Sequence, residues 1–120
     1  MALLLQSSHH VGTQSEDLKE RCKAFALDVM AFVDELPRDE SSRYLGAHLR
    51  RAANGTRANY REACPARSRP EFTARVGVAA EEADESAHWL EMLTARRSGA
   101  ADRRQKLLVE AHELEAIFSV

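Results

Sequence analysis

The fold is decided by residues 72–93, which read FTARVGVAAEEADESAHWLEML. Small and apolar residues recur in this stretch at alternating spacings of four and three, at Phe72, Val76, Ala79, Ala83, Ser86, Leu90 and Leu93. This period matches the turn of an α-helix, so the stretch predicts a helix with one buried face. Ser98-Gly99 ends this third predicted helix.

Three other segments show the same periodicity. The first apolar seam runs over Leu18, Cys22, Phe25, Val29, Phe32 and Leu36. The second contains Leu45, Leu49, Ala52, Thr56, Asn59 and Ala63, and the fourth contains Leu107, Ala111, Leu114 and Phe118. Because short turns join the four segments, we predict an all-α fold, an antiparallel up-down-up-down four-helix bundle.

Local signals give the expected boundaries. Thr13-Gln14-Ser15-Glu16 resembles a capping box, so we predict a mobile N-terminal tail over residues 1–12 and a single four-helix-bundle domain over residues 13–120. Pro37 ends the first helix, and Ser41 or Ser42 is expected to cap the second. The small residues Ala52, Ala79 and Ala83 should allow the second and third helices to approach closely.

The composition excludes several classes of protein. The chain has 120 residues, of which 44% are hydrophobic and 30% are charged, as expected for one globular domain. Its two cysteines have no metal-type spacing, and no stretch approaches the roughly 20 apolar residues of a membrane span. We therefore predict a cytoplasmic protein with reduced thiols, no cofactor and no membrane association.

The formal charge of −2 is unevenly distributed along the chain. Residues 38–75 contain nine Arg and four acidic residues, whereas residues 76–95 contain five acidic residues and no Lys or Arg. Helical spacing places one basic set, the Arg stripe, on one face of the second helix: Arg43, Arg50, Arg57 and Arg61. An acidic set is predicted on an outer face of the third helix: Glu81, Asp84, Glu85 and Glu91.

These charged faces allow three interpretations. They can be ordinary solvated surfaces, they can pair with each other across a subunit contact, or the Arg stripe can bind phosphates. If they pair, the contact joins two different surfaces, which favours head-to-tail assembly over a two-fold dimer. Trp89, Tyr60 and Tyr44 are then expected to supply most of the affinity, because exposed ion pairs contribute only about 0–1 kcal/mol each.

Residues that suggest chemistry have simpler structural interpretations. Glu85-x-x-His88 has the spacing of a di-iron ligand motif, but the sequence has no second copy. Cys22 lies on an apolar seam and is expected to be a core residue. The sequence also lacks Gly-x-Ser-x-Gly, His-Glu-x-x-His and phosphate-loop motifs. We therefore predict no catalytic, cofactor-binding or metal-binding residues and no enzymatic activity.

Three polar or aromatic positions leave alternatives open. Asn59 and Ser86 can line a ligand pocket or be buried, hydrogen-bonded groups that fix helix register. Glu62 and Glu85 can be their partners or can pair with Arg. Trp89 can stack on a nucleic-acid base or act as an anchor at the core edge or at an interface.

Two ordered groups of residues resemble a known family. The first is Leu49-Arg50-Arg51-Ala52-Ala53 followed by Asn59, Glu62, Ser68, Glu71 and Phe72. The second is Ala83-Asp84-Glu85-Ser86 followed by Trp89-Leu90-Glu91. Together they resemble the 23S rRNA intervening-sequence proteins, usually called four helix bundle proteins, over about residues 18–118.

The resemblance implies a left-handed bundle that assembles as a homopentameric ring. The family includes proteins encoded within 23S rRNA insertions and the accessory protein of diversity-generating retroelements, which engages a reverse transcriptase and nucleic acid. The expected function is that of a non-catalytic, homo-oligomeric binding or scaffold protein whose first partner is another copy of itself. The alternative is an accessory factor that binds RNA or a nucleoprotein through the Arg stripe.

Overall fold

The computed structural model describes the backbone of residues 8–120 and the side chains from residue 14 onward. The described residues form four helices: α1 (Ser8–Asp34), α2 (Glu40–Ala63), α3 (Arg69–Ala95) and α4 (Ala101–Phe118), with no strand among them. Each helix packs against the next, and α1 packs against α4 to close the bundle. The predicted antiparallel up-down-up-down four-helix bundle is confirmed. None of these four helices is long and apolar enough to cross a membrane.

The start of α1 differs from the sequence prediction. The helix begins at Ser8, so residues 8–12 of the predicted tail are helical, whereas residues 1–7 lie outside the described part of the chain. The proposed capping box at Thr13–Glu16 is therefore wrong. Without a proline to stop it, the helix extends upstream of this motif, and Glu16 instead pairs with Lys19 at 2.8 Å.

The four predicted apolar seams meet in one core. Its largest fully buried apolar side chains come from all four helices: Phe25, Val29, Phe32, Leu49, Leu90, Leu93 and Leu114. Phe72 was predicted on the α3 seam but is 41% exposed, and Val76 is only half-buried. Helical periodicity gives the direction of these side chains, whereas burial also needs a neighbouring helix beside this end of α3.

The contact between α2 and α3 is the most extensive in the bundle. Five alanines of these two helices have at most 2% of their surface exposed: Ala52, Ala53, Ala79, Ala83 and Ala87. Because alanine has only a methyl group, the two helix backbones can approach closely and exclude water. The predicted burial of alanines along this contact is confirmed.

A salt bridge supports the contact between α1 and α4. The guanidinium of Arg21 donates from Nε and Nη2 to the two carboxylate oxygens of Glu110, both at 2.7 Å. Nη2 also donates to Glu113 at 2.6 Å. The hydrogen bond to Glu110 raises the pKa of Arg21 most, and the hydrogen bond to Glu113 raises it further. The bidentate geometry fixes the position of α1 beside α4.

The N-terminal caps of α2 and α3 are formed by an aspartate and a serine. Asp39, not Ser41 or Ser42, caps α2, and its carboxylate accepts hydrogen bonds from Ser42 N at 2.9 Å and Ser42 Oγ at 2.8 Å. These bonds hold the pKa of Asp39 below its ordinary value. Ser68 caps α3 by accepting a hydrogen bond from Glu71 N at 3.2 Å.

The α3–α4 turn requires a left-handed backbone. Arg97 and Gly99 have φ angles of 57° and 86°, and Ser98 N donates to Leu93 O at 2.9 Å, which closes the last turn of α3. A Cβ at Gly99 would lie 2.6 Å from the ring of Phe32, so the turn also packs tightly on the core. Glycine at this position satisfies both constraints.

Replacing Ala83 with phenylalanine tests the α2–α3 contact. We expect Ala83→Phe to lower the free energy of unfolding by about 1–3 kcal/mol or more, because the added ring has no space between the helices. Ala74→Phe, at an exposed position of the same helix, is the matched control and should leave stability nearly unchanged. Chemical denaturation measures both. Equal stability of Ala83→Phe and wild type would contradict the assigned packing.

Candidate interaction surfaces

The Arg stripe follows the flank of α2 that faces α1. Arg43, Arg50 and Arg61 are exposed and Arg57 is half-buried. Arg43 and Arg50 line a groove together with residues from the end of α1, which places the stripe beside that helix. None of the four forms an ion pair within the part of the chain that the structure describes.

Two residues of the acidic set have partners on different sides of α3. All four of its residues are exposed. Glu85 accepts a hydrogen bond from the indole nitrogen of Trp89 at 3.3 Å, whereas Glu91 lies 3.8 Å from Nε2 of His112 in α4. The first interaction directs the negative charge of Glu85 toward the α2 side and the second directs that of Glu91 toward α4.

An aromatic patch occupies the outer edge of the α2–α3 contact and consists of Tyr44, His48, His88 and Trp89. The imidazole of His48 stacks on the indole of Trp89 with ring centroids 4.6 Å apart. Tyr44 meets His48 at 4.5 Å and Trp89 edge-on at 6.1 Å, and His88 contacts the other side of Trp89 at 4.6 Å. Tyr44 is 58% exposed, and Met92, one turn beyond Trp89, is 43% exposed. The patch thus presents aromatic and apolar surface to solvent.

The aromatic patch and the core contacts beside it bear on the interpretations of Trp89 and Tyr60 made from sequence. Trp89 is half-buried at the edge of the core, and the rings of His48 and His88 already occupy its surroundings. Tyr60 is 6% exposed and stacks on Phe118 at 5.3 Å, so it is a core residue and cannot anchor a subunit contact. Burial also raises the pKa of the Tyr60 hydroxyl to about 12.

Several of the family-motif positions serve helix structure. Ser68 and Glu71 both take part in capping the start of α3. Ser68 Oγ accepts a hydrogen bond from Glu71 N, and Glu71 Oε2 accepts one from Arg67 N at 3.1 Å. Asn59 donates to Gly55 O at 2.8 Å, and Ser86 donates to Glu82 O at 2.9 Å. Each of these bonds stays within one helix, so neither side chain fixes the register of two helices. Glu62 lies 3.6 Å from Arg75 of α3.

The candidate metal and thiol residues lie apart from one another. His88 is exposed on the aromatic patch, and no group of three or more His, Cys, Asp or Glu side chains converges among the described residues. Cys22 is fully buried, as predicted for a core residue. Burial raises the pKa of its thiol to about 12, so the sulfur is protonated and poorly nucleophilic at neutral pH.

A partly buried carboxylate that sequence analysis missed lies between α2 and α3. Glu82 packs against Gly55, where a Cβ would collide with the carboxylate. Burial raises the pKa of Glu82, and the nearby negative charge of Glu85 raises it further, while Arg51 opposes the shift. Gly55 therefore provides the space for this side chain. The sequence signal for this partly buried carboxylate was a glycine on one helix opposite a glutamate on the next. That signal can be used only when the pairing of the two helices is known.

Comparison with known proteins gives a family and a fold. The family model described as "23S rRNA-intervening sequence protein" matches residues 15–119. A crystal structure of a protein of unknown function from the S23 ribosomal protein family of Bacteroides thetaiotaomicron has 23% sequence identity and a TM-score of 0.76. The alignment covers 83% of this chain and 93% of that one. No protein of curated function matches the sequence.

The environment of Glu82 predicts a pH-dependent effect on stability. A carboxyl whose pKa is raised by folding favours the folded state when protonated, and that stabilisation is lost as the pH rises through the folded-state pKa. Glu82→Gln retains the shape and removes the charge. We therefore expect it to be more stable than wild type at about pH 7, with a smaller difference at about pH 4, below the ordinary pKa of 4.5.

Thermal or chemical denaturation at both pH values checks this effect. Glu20→Gln removes the same charge from an exposed position of α1 and is the control. A stabilisation by Glu82→Gln that is equal at both pH values, or equal to that of the control, would show that the Glu82 carboxylate is not destabilised by its position.

Proposed function

We propose that this chain, which belongs to the 23S rRNA-intervening sequence protein family, acts as a non-catalytic, homo-oligomeric binding or scaffold protein. The proposed assembly is a homopentameric ring in which neighbouring copies meet head to tail. Its function is to present a multivalent helical surface to another macromolecule in the cytoplasm. The number five comes from the family resemblance, and the surfaces of the chain support the head-to-tail arrangement.

The observation that carries this proposal is the exposed aromatic patch at the α2–α3 edge. Trp and Tyr are enriched at the centres of protein interfaces, where a rigid ring covers a large area at a small cost in conformational entropy. Here Tyr44 and Met92 are exposed beside Trp89. Burial of this apolar area would provide most of the affinity, and exposed charges around it would contribute orientation.

The two flanks of α2 favour contact between unlike surfaces. One flank carries the aromatic patch with Glu85 beside it, and the other carries the Arg stripe. A ring requires such a heterologous pair, because each subunit uses one surface toward each neighbour. Arg50 of one copy against Trp89 and Glu85 of the next would combine a cation–π contact with an ion pair. Two Arg stripes facing each other would repel.

The exposed groups are arranged for contact over a surface and not for chemistry at a point. The aromatic patch lies along one helix–helix edge, and the Arg stripe spans 19 residues, or about 27 Å of helix from Arg43 to Arg61. Catalysis requires a nucleophile, a base and a stabilising group within a few ångströms of one reacting atom. Extended faces of one character are typical of macromolecular recognition.

The Arg stripe also favours a second candidate function, an accessory factor that binds RNA or a nucleoprotein. Guanidinium groups bind phosphates through two parallel hydrogen bonds, and a line of them can follow a nucleic-acid backbone. The supporting observation is that these four side chains form no ion pair with the described acidic residues. In this alternative the aromatic patch forms the subunit contact and the Arg stripe faces the RNA.

A double charge reversal distinguishes these functions. We expect Arg50→Glu combined with Arg57→Glu to shift the assembly toward monomers, because two of the cations that orient the contact become repulsive. Light scattering at several protein concentrations measures the change. Arg103→Glu combined with Lys106→Glu, an equal charge change at exposed positions of α4, is the matched control and should stay assembled.

Two results would overturn the proposed assembly. One is a wild-type protein that remains monomeric at every concentration. The other is an Arg50/Arg57 variant that remains fully assembled but loses measurable affinity for RNA. The second result would establish the Arg stripe as a phosphate-binding surface and replace the first function with the alternative.

A further inference from the structure

A groove lies between the end of α1 and the first half of α2. Its volume is about 270 Å³, and three arginines reach it from two segments: Arg38 from the α1–α2 turn, and Arg43 and Arg50 from α2. Sequence periodicity grouped Arg43 and Arg50 with Arg57 and Arg61 but gave no reason to add Arg38. Only the path of the chain after Pro37 brings this third guanidinium to the same place.

The charge of the groove is strongly positive. Its lining contains the three arginines and one acidic residue, Asp34, a formal charge of +2. The arginines form no ion pair with any carboxylate among the described residues. Neighbouring like charges repel one another, and a bound anion would relieve that repulsion. Arginine forks match the geometry of phosphate oxygens, which makes a phosphate group the anion they fit best.

Part of the groove lining is apolar. Val33, Leu36, Pro37 and Ala47 contribute to it, and α2 approaches α1 so closely that a Cβ at Gly46 would lie 2.8 Å from Leu36 Cδ1. Inorganic phosphate gains nothing from these apolar residues, whereas an organic phosphate can lay its carbon-containing part against them. The volume is just below the roughly 300–1,000 Å³ of sites for drug-sized ligands, which favours a small phosphate ester.

The other polar groups near the groove already have partners. Ser42 Oγ donates to the carboxylate of Asp39 at 2.8 Å and lies 2.9 Å from Ser98 Oγ. Asp39 also lies 3.6 Å from a guanidinium nitrogen of Arg96, on the side of the α3–α4 turn. Recognition of an anion therefore depends on the arginines, and Asp34 is left as an acceptor for a hydroxyl of the ligand.

From this combination we infer that the groove is a binding site for a phosphate monoester, such as a nucleoside monophosphate or the 5′-phosphate end of an RNA. The arginines bind the phosphate and the apolar residues of the lining contact the organic part. This inference does not require self-association. It shares Arg43 and Arg50 with the Arg stripe, but Arg38 belongs to the groove alone and Arg57 to the stripe alone.

Isothermal titration calorimetry with two matched pairs of probes tests the site. The first pair is adenosine 5′-monophosphate and adenosine. The second is one short single-stranded RNA with either a 5′-phosphate or a 5′-hydroxyl. We expect the monophosphate to bind and adenosine not to bind. Arg38→Ala should weaken binding of the monophosphate by about tenfold or more, because it removes a charge-assisted contact, whereas Arg57→Ala should leave it within about twofold.

The RNA pair identifies the source of the phosphate. Tighter binding of the 5′-phosphorylated RNA, sensitive to Arg38→Ala, would support the end of an RNA chain. Binding of the free monophosphate without an effect of the RNA 5′-phosphate would support a small-molecule ligand. No binding of the monophosphate, equal binding of adenosine, or no effect of Arg38→Ala would overturn the inference.

Light scattering on the same samples separates this inference from the proposed assembly. A monomeric wild-type protein that binds the monophosphate through Arg38 would refute the ring and support the groove. An assembled protein that does not bind the monophosphate would support the ring and refute the groove as a binding site. Equal loss of RNA affinity in Arg38→Ala and Arg57→Ala, without preference for the 5′-phosphate, would assign both residues to backbone binding and overturn the groove as a monoester site.

Discussion

The close packing of alanines between α2 and α3 is the constraint on which the other features of the bundle depend. With methyl groups such as those of Ala52, Ala79 and Ala83 at the contact, the two helix backbones lie near each other along much of their length. That proximity stacks His48 on Trp89 at one end and places Glu82 against Gly55 in the middle. Larger residues would separate the helices and disperse these groups.

The same contact gives α2 two flanks of different chemistry. A helix that buries one stripe in the core leaves a flank on each side of it. The flank toward α3 is aromatic, with Tyr44 and His48, and the flank toward α1 is basic, with Arg43 and Arg50. In the proposed ring the aromatic flank of one copy meets the basic flank of the next. A subunit contact and a bound anion would therefore compete for Arg50, which lies on the basic flank and also lines the groove.

A polar network holds the end of the bundle where the groove lies. Asp39 caps α2, its partner Ser42 contacts Ser98 of the α3–α4 turn, and Ser98 in turn accepts a hydrogen bond through its carbonyl from Arg104 at 2.8 Å. Arg104 is 8% exposed, and its charge is stabilised by carbonyl oxygens of this turn, including Gly99 O at 3.2 Å. Since buried polar groups are costly without partners, the network fixes both turns relative to each other.

The sequence by itself determined the four helices, their order and most of their buried faces, because helical periodicity and proline positions are local properties of the chain. The surroundings of individual side chains depended on neighbours that are distant in sequence, and no local pattern specifies those neighbours. Tertiary structure alone decided that Tyr60 is a core residue, that Phe72 is exposed and that Asp39 caps α2.

Tertiary structure also decided how the charged faces are arranged. The spacing along α2 predicted the Arg stripe as a line on one helix face, but the rotation of each helix against its neighbours determines which groove a side chain enters. The path of the chain after Pro37 brought Arg38 to the groove that Arg43 and Arg50 line, and the rotation of α3 directed Glu85 and Glu91 toward different neighbouring helices. Both are set by the packing of whole helices and not by the residues that surround each charge in the sequence.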